Sequence, residues 1–221
     1  MSSLLSMKTI AIFVRYLMLK LMKKIRQPDD DRPVIAAADQ LLDVLLPSAF
    51  EFFRDSRFRQ SVDFEKQSHV EQDRIFNELQ VSAMNLCLFC LEQRESIIRL
   101  DDFHFWKEVY ERIPVAFEEK LLSFGVDKGN ARLFKDLIGI RHEEYAGIME
   151  ANDEWMNRED EFHAIADNRI KESMIRVHAL VIGTADHIRR GKLKKDDKLM
   201  KHVRSWLLPL DVKINRFIKN L

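Results

Sequence analysis

The stretch "SHVEQDRIFNELQVSAMNLCLFCLE", residues 68–92, decides the fold class of this chain. Ser68 and Glu71 form a capping box, in which each side chain accepts a hydrogen bond from the other residue's backbone amide and so starts a helix. Apolar residues then recur at helical spacing on two stripes. The first stripe contains Phe76, Leu79, Ala83, Leu86, Cys90 and Ile97, and the second contains Val81, Met84, Leu88 and Leu91. Because a helix with two apolar faces needs neighbours on both sides, the sequence predicts a central helix over about 69–99.

The composition of the whole chain is that of a helical protein. Its 221 residues include only six Gly, five Pro and two Thr. So few turn formers and β-branched polar residues favour long helices over hairpins. We therefore predict an all-α fold, a single bundle of six or seven helices that includes a basic, hydrophobic N-terminal helix.

Prolines set several of the expected helix boundaries. The helix that begins near Pro33 is predicted to end before Pro47, because proline removes a backbone donor and disfavours the helix interior. For the same reason we predict a kink or break at Pro114 and an interruption near Pro209. A further helix is predicted over about 158–190.

Three glycines carry expectations of their own. Gly125 follows a predicted helix and has the place of a left-handed C-terminal cap. Gly139 and Gly147 lie inside a predicted helix, where each costs about 1 kcal/mol relative to alanine. Close approach of another helix at these two positions would explain that cost.

The N-terminal stretch "MKTIAIFVRYLMLKLMKKIRQ", residues 7–27, is both hydrophobic and basic. Its uncharged runs are far shorter than the ~20 apolar residues of a membrane span. Its charges also follow the apolar region, the reverse of a signal peptide. Two interpretations remain, an interfacial helix on anionic lipid and a helix packed on protein. We divide the chain into an arm, residues 1–27, and a bundle domain, residues 28–221.

A helical wheel of the arm helps to decide between lipid and protein as its contact. Lys8, Arg15, Lys23 and Arg26 gather on one side and are the candidate contacts with a partner or a membrane. Large apolar side chains nevertheless flank the charged side. Because a surface-lying helix needs a clean polar face, packing on the bundle or on a second copy is favoured over lipid.

Charge is distributed unevenly although the net charge is zero. Residues 1–27 hold six Lys and Arg without an acid, and residues 192–221 hold nine against three Asp. The middle of the chain is therefore strongly acidic. Basic ends on an acidic body favour docking within the protein or between copies, and anionic lipid is the next partner to consider. The run "HIRRGKLKKDDKLMKHVRSW" also matches a nucleic-acid patch, but no nucleic-acid module accompanies it, which disfavours that partner.

Cys87 and Cys90 have the spacing of a redox or zinc motif. Redox pairs usually lie at a helix N-terminus, and zinc needs about four ligands. These two thiols lie in the middle of a helix, and the chain has no other cysteine. We predict buried, inert thiols and a reducing cytoplasm as the location, with peripheral attachment to the inner face of the membrane as the alternative.

No complete metal site can be assembled. Two Asp-x-x-His pairs, Asp101 with His104 and Asp160 with His163, come closest to the Glu-x-x-His motif of di-iron bundles. Both carry Asp where Glu is required, and both fall where first-turn acids are expected for capping. We predict no metal and no cofactor.

The segment "RHEEY" supplies a candidate polar cluster, Arg141, Glu144 and Tyr145. At this spacing Arg141 and Glu144 share a helix face. An intrahelical ion pair on a solvated face is the favoured interpretation, and a polar pocket lining is the alternative.

These patterns favour a non-catalytic interaction or adaptor protein, oligomeric and cytoplasmic, and no catalytic residue is assigned. The alternative is an enzyme or small-ligand binder with a polar, metal-carboxylate pocket in the bundle. The third hypothesis is nucleic-acid binding through the basic C-terminal segment. Carboxylates and histidines that converge inside the bundle would favour the enzyme, and a dry core would favour the interaction protein.

Overall fold

The computed structural model describes residues 33–93, 103–156, 167–194 and 196–221. Within these ranges the chain forms seven α-helices, one short 3-10 helix at Phe64–Lys66 and no strand, which confirms the all-α fold. The helices are α1 (Pro33–Arg54), α2 (Ser56–Ser61), α3 (His69–Glu92), α4 (Phe103–Ser123), α5 (Lys128–Met156), α6 (Asn168–Arg189) and α7 (Lys198–Asn220). The predicted arm lies outside the described residues.

The central helix is α3, as the opening stretch predicts. It packs against α1, α4, α5, α6 and α7. It starts at the expected cap, where Ser68 Oγ accepts from the Glu71 amide at 3.3 Å. The helix ends at Glu92 instead of about residue 99, and Gln93 is its C-cap.

The carboxylate of Glu71 does not complete the capping box. It accepts from Arg74 of its own helix and from Arg190 at the end of α6. The hydrogen bond from Arg74 is the main cause that lowers the pKa of Glu71 to about 2. The start of α3 is thus tied to the end of α6 by charge.

The prolines do not end their helices, so the expected end before Pro47, the break at Pro114 and the interruption near Pro209 are wrong. α1 continues through Pro47, α4 through Pro114 and α7 through Pro209. Around Pro47 the reason is visible, because Leu46 before it and Phe50 after it are both buried. The continuous apolar face outweighs the one backbone hydrogen bond that proline removes.

The start of α6 also differs from the expected 158. Asp167 is the N-cap, and its side chain accepts from the Arg169 amide at 2.9 Å. Residues 157–166 lie outside the described residues. The predicted end is confirmed, because α6 stops at Arg189 and Gly191 has a φ of +71°.

Among the described helices, α1 is the one that is long and apolar enough to cross a membrane. Leu41, Leu42 and Leu45 are fully buried in the same core as residues of the other six helices. The apolar character of α1 is therefore accounted for by packing inside the bundle.

Glycine marks one close helix contact, at a position different from the two expected. Gly125 has a φ of +83°, which confirms the left-handed cap. Gly139 and Gly147 have open space where a Cβ would lie, so the predicted close approach of another helix at these positions is wrong. The close approach is at Gly183 of α6, where a Cβ would lie 2.2 Å from Cε1 of Tyr145.

We expect Gly183→Ala to destabilise the protein by about 2–3 kcal/mol, because the buried Tyr145 ring has no room to move. Thermal unfolding followed by circular dichroism measures the effect. The matched control is Gly147→Ala on the open surface of α5, which should leave stability unchanged or raise it by up to about 1 kcal/mol. Equal melting temperatures for the two variants would contradict the close contact.

Candidate functional site

The polar cluster of α5 is turned partly inward, which corrects the solvated-face interpretation. Arg141 donates to both carboxylate oxygens of Glu78 on α3, at 3.2 Å from Nε and 3.0 Å from the terminal nitrogen. The side chains of Arg141 and Glu78 are only 16% and 6% exposed. The expected partner Glu144 is a secondary contact at 3.3 Å. A bidentate bridge between helices is stronger and more specific than an exposed intrahelical pair.

Tyr145 is the most deeply buried member of that cluster. Its side chain is fully buried, and its hydroxyl lies 3.5 Å from Ser82 Oγ. Ser82 Oγ in turn lies 2.7 Å from Thr184 Oγ1, so three hydroxyls connect α5, α3 and α6. Burial raises the pKa of Tyr145 well above its usual range, which keeps the phenol neutral.

A second polar group surrounds His142, beside the cluster of Arg141. Its Nδ1 lies 2.9 Å from Asn85 Oδ1, and its Nε2 lies 2.9 Å from Glu92 Oε1. Tyr110 donates to the same Glu92 oxygen at 2.8 Å, and Phe89 stacks on the imidazole at 4.3 Å. Both ring nitrogens are held by partners of the same chain, so the geometry positions the imidazole between helices.

The third and most buried group joins α6 to α7. Arg176 and Asp211 are 2% and 1% exposed, and Arg176 Nε donates to Asp211 Oδ1 at 2.8 Å. Ser173 and Asn215 donate to Asp211 Oδ2 at 2.7 Å and 2.9 Å. Arg176 also donates to Gln93 at the end of α3. Every polar group of Asp211 is thereby satisfied, as a buried charge requires.

The thiols belong to this interior. Cys87 and Cys90 are both free and fully buried, which confirms the predicted burial. Burial raises the pKa of Cys90 well above its usual range. The neutral thiol therefore serves as a weak donor to Asp211 Oδ1 at 3.4 Å.

Sequence reasoning missed the polar content of α3. This helix buries six polar side chains along its length, namely Asp73, Asn77, Glu78, Gln80, Ser82 and Asn85. Burial raises the pKa of Asp73 to about 6. Two i, i+4 pairs of polar residues, Asp73 with Asn77 and Glu78 with Ser82, were the available signal. The interior is therefore not dry. Glu78 and Asp211 are paired with arginines, whereas Asp73 Oδ1 is buried without a hydrogen-bond partner among the described residues.

Metal chemistry was the other sequence-based alternative. Among residues 33–93, 103–156 and 167–221 apart from 195, no three His, Cys, Asp or Glu side chains are grouped so as to hold a metal ion. His104 is exposed at the start of α4. Asp101, Asp160 and His163 lie outside the described residues.

The surface of α7 concentrates positive charge. Its exposed side carries six basic residues, Lys198, Lys201, Arg204, Lys213, Arg216 and Lys219, which we call the basic face. The one acid of this helix, Asp211, points into the interior and is 1% exposed. The candidate contacts of the arm, Lys8, Arg15, Lys23 and Arg26, lie outside the described residues.

Aliphatic side chains lie within and beside the basic face. Leu208 and Val212 of α7 are 41% and 55% exposed, and Ile170 and Met174 of α6 are 51% and 39% exposed. A hydrogen bond of 2.8 Å between Arg204 and His178 joins the two helices. All four side chains lie on the exposed surface of these two helices. We call these four residues the aliphatic strip.

The basic face and the aliphatic strip make one surface that can attract anions and bury apolar area together. No protein-family model, no curated protein and no solved structure matches the chain.

Proposed function

We propose that the protein is a non-catalytic interaction protein that docks on an anionic lipid membrane through the basic face. The observation that carries this proposal is the exposed side of α7, which has six basic residues, no acid and the aliphatic strip at its edge. A peripheral membrane helix needs this combination of basic and apolar side chains.

The charge supplies the attraction. Each Lys or Arg near an anionic leaflet contributes about 1 kcal/mol, so six residues together are sufficient for reversible binding. The anionic leaflet of a cell faces the cytoplasm, and this agrees with the proposed location at its inner face. The aliphatic strip adds apolar burial, which free counterions and polar partners cannot supply.

The polar interior supports a non-catalytic role. Glu78 with Arg141, and Asp211 with Arg176, are held in bridges between helices. His142 is held between Asn85 and Glu92. Groups that are engaged in this way hold helices in register and are poorly placed to exchange protons with a substrate.

Lipid is favoured over nucleic acid for a specific reason. Proteins that bind single strands use exposed aromatic rings on which bases stack. The tryptophan of the basic C-terminal segment, Trp206, is 8% exposed and stacks on Phe52 of α1 at 4.7 Å. Its indole nitrogen donates to Ser48 at 3.0 Å, so the ring belongs to the core packing.

Co-sedimentation with vesicles tests the proposal. We expect the full chain to bind phosphatidylserine vesicles and not phosphatidylcholine vesicles, with binding weakened by salt. Lys201→Gln with Lys213→Gln, and separately Leu208→Ser with Val212→Ser, should each weaken binding about tenfold or more. The matched control, Lys107→Gln with Arg132→Gln, removes two exposed charges elsewhere and should change binding little.

Two results would overturn the proposal. One is equal binding by the face variants and the control. The other is absence of vesicle binding together with a dimer in light scattering that Leu208→Ser with Val212→Ser abolishes. The second result would make this surface an interface between copies.

A further inference from the structure

A cleft opens at the end of the basic face, between the first turns of α6 and the last turns of α7. Its volume is about 480 Å³, within the ~300–1,000 Å³ of small-molecule sites. The cleft is lined by Arg169, Glu172, Arg176, Asn215, Arg216, Lys219 and Asn220. Four of these seven residues are cationic and one, Glu172, is anionic. We call it the cationic cleft.

Two of the cations are available to a ligand. Arg169 is held by Asp167, and Arg176 is held by Asp211. Within the described part of the chain, neither Arg216 nor Lys219 forms an ion pair, and both are exposed at the rim. The guanidinium and the ammonium can therefore turn toward a bound phosphate, for which both are suited.

One of the residues that line the cleft, Asn215, has a buried polar atom that lacks a donor. Asn215 Nδ2 donates to Asp211 Oδ2 at 2.9 Å, and this identifies the other amide atom as the oxygen. That atom, Asn215 Oδ1, is buried and has no hydrogen-bond partner among the described residues. A buried acceptor without a donor is costly, so a ligand hydroxyl at this position would be stabilised.

The acceptor is also rigidly placed. Asp211 accepts hydrogen bonds from Ser173, Arg176 and Asn215, and Arg176 is 2% exposed. This network fixes the Asn215 amide on the wall while the longer side chains of Arg216 and Lys219 remain adjustable. A fixed acceptor beside two adjustable cations matches a ligand that carries a hydroxyl next to a phosphate.

We propose that the cationic cleft binds a phosphorylated polyol, with the phosphate on Arg216 and Lys219 and a hydroxyl donating to Asn215 Oδ1. The inference deepens the proposed function, because a lipid headgroup of this chemistry would give the basic face its choice of membrane. A free polyol phosphate has the same chemistry, and the experiment separates the two sources.

The measurement is a ratio of affinities for two kinds of vesicle with equal surface charge, one with phosphatidylinositol phosphate and one with phosphatidylserine. We expect the full chain to prefer the first at least tenfold. Arg216→Gln with Lys219→Gln should reduce the preference to about one. The matched control, Lys198→Gln with Lys201→Gln, removes the same charge from the other end of α7 and should weaken both bindings while keeping the preference.

Titration calorimetry with soluble inositol phosphate and with inorganic phosphate completes the test. Asn215→Ala should lower the affinity for inositol phosphate about tenfold and leave the affinity for inorganic phosphate unchanged. A wild-type chain without vesicle preference that still binds soluble inositol phosphate would overturn the lipid source. If the chain shows neither the vesicle preference nor binding of soluble inositol phosphate, but still binds phosphatidylserine vesicles, the proposed ligand of the cleft is wrong and the proposed function stands. Absence of all vesicle binding would overturn the proposed function instead.

Discussion

Arg176→Met is expected to lower the free energy of unfolding by about 3–5 kcal/mol, the cost of leaving a buried charge uncompensated. Arg176 and Asp211 are almost completely buried, and their terminal atoms lie 2.7 Å apart. Methionine fills much of the volume of arginine but offers no donor to the carboxylate. Chemical denaturation followed by circular dichroism measures the loss.

A double variant separates charge from packing. Arg176→Met with Asp211→Asn removes both charges and keeps an oxygen that accepts from Ser173, so most of the stability should return. An Arg176→Met protein within about 1 kcal/mol of wild type would show that Asp211 reaches water and that the buried network is not formed.

Deletion of residues 1–27 is expected to lower the melting temperature and to cause aggregation. Large apolar side chains recur throughout residues 4–25, and each contributes about 1.5–3 kcal/mol when it is covered. A net loss of ~3 kcal/mol corresponds to about 6–12 °C for a chain of this size. Differential scanning calorimetry and light scattering provide the two readouts.

The described residues offer the arm a surface close to where it joins the bundle. A cleft of about 850 Å³ is lined by Pro33, Val34, Ile35, Phe105, Glu108, Arg112 and Glu119. It combines apolar side chains with Glu108, an acid that complements the six basic residues of the arm, while Glu119 is paired with Arg112. Pro33, the first described residue after the arm, is itself part of this lining.

A charge-matched variant controls the deletion. Lys8→Gln, Arg15→Gln, Lys23→Gln and Arg26→Gln together keep the apolar side chains and should lower the melting temperature less than the deletion. Suppose the shortened chain melts like wild type and no longer sediments with phosphatidylserine vesicles. The arm would then be the lipid-binding element, and its packing on protein would be wrong.

The sequence by itself determined the helical class, the central helix and its start at Ser68. It also determined the left-handed cap at Gly125 and the burial of Cys87 and Cys90. These features depend on neighbours within about one or two helical turns, through hydrogen bonds of the first turn, backbone freedom and the periodicity of apolar residues. Such information is contained in any short window of the chain.

The tertiary structure alone decided which polar and small residues meet. Arg141 binds Glu78 from 63 positions away, and Arg176 binds Asp211 from 35 positions away. A helical wheel gives the direction of a side chain on its own helix but not the neighbour that crosses there. Pro47 stays inside α1, and Gly183 instead of Gly147 marks the close contact, for the same reason. Burial against a neighbouring helix outweighs local preferences of about 1–3 kcal/mol, and the crossing points are set only when all the helices pack together.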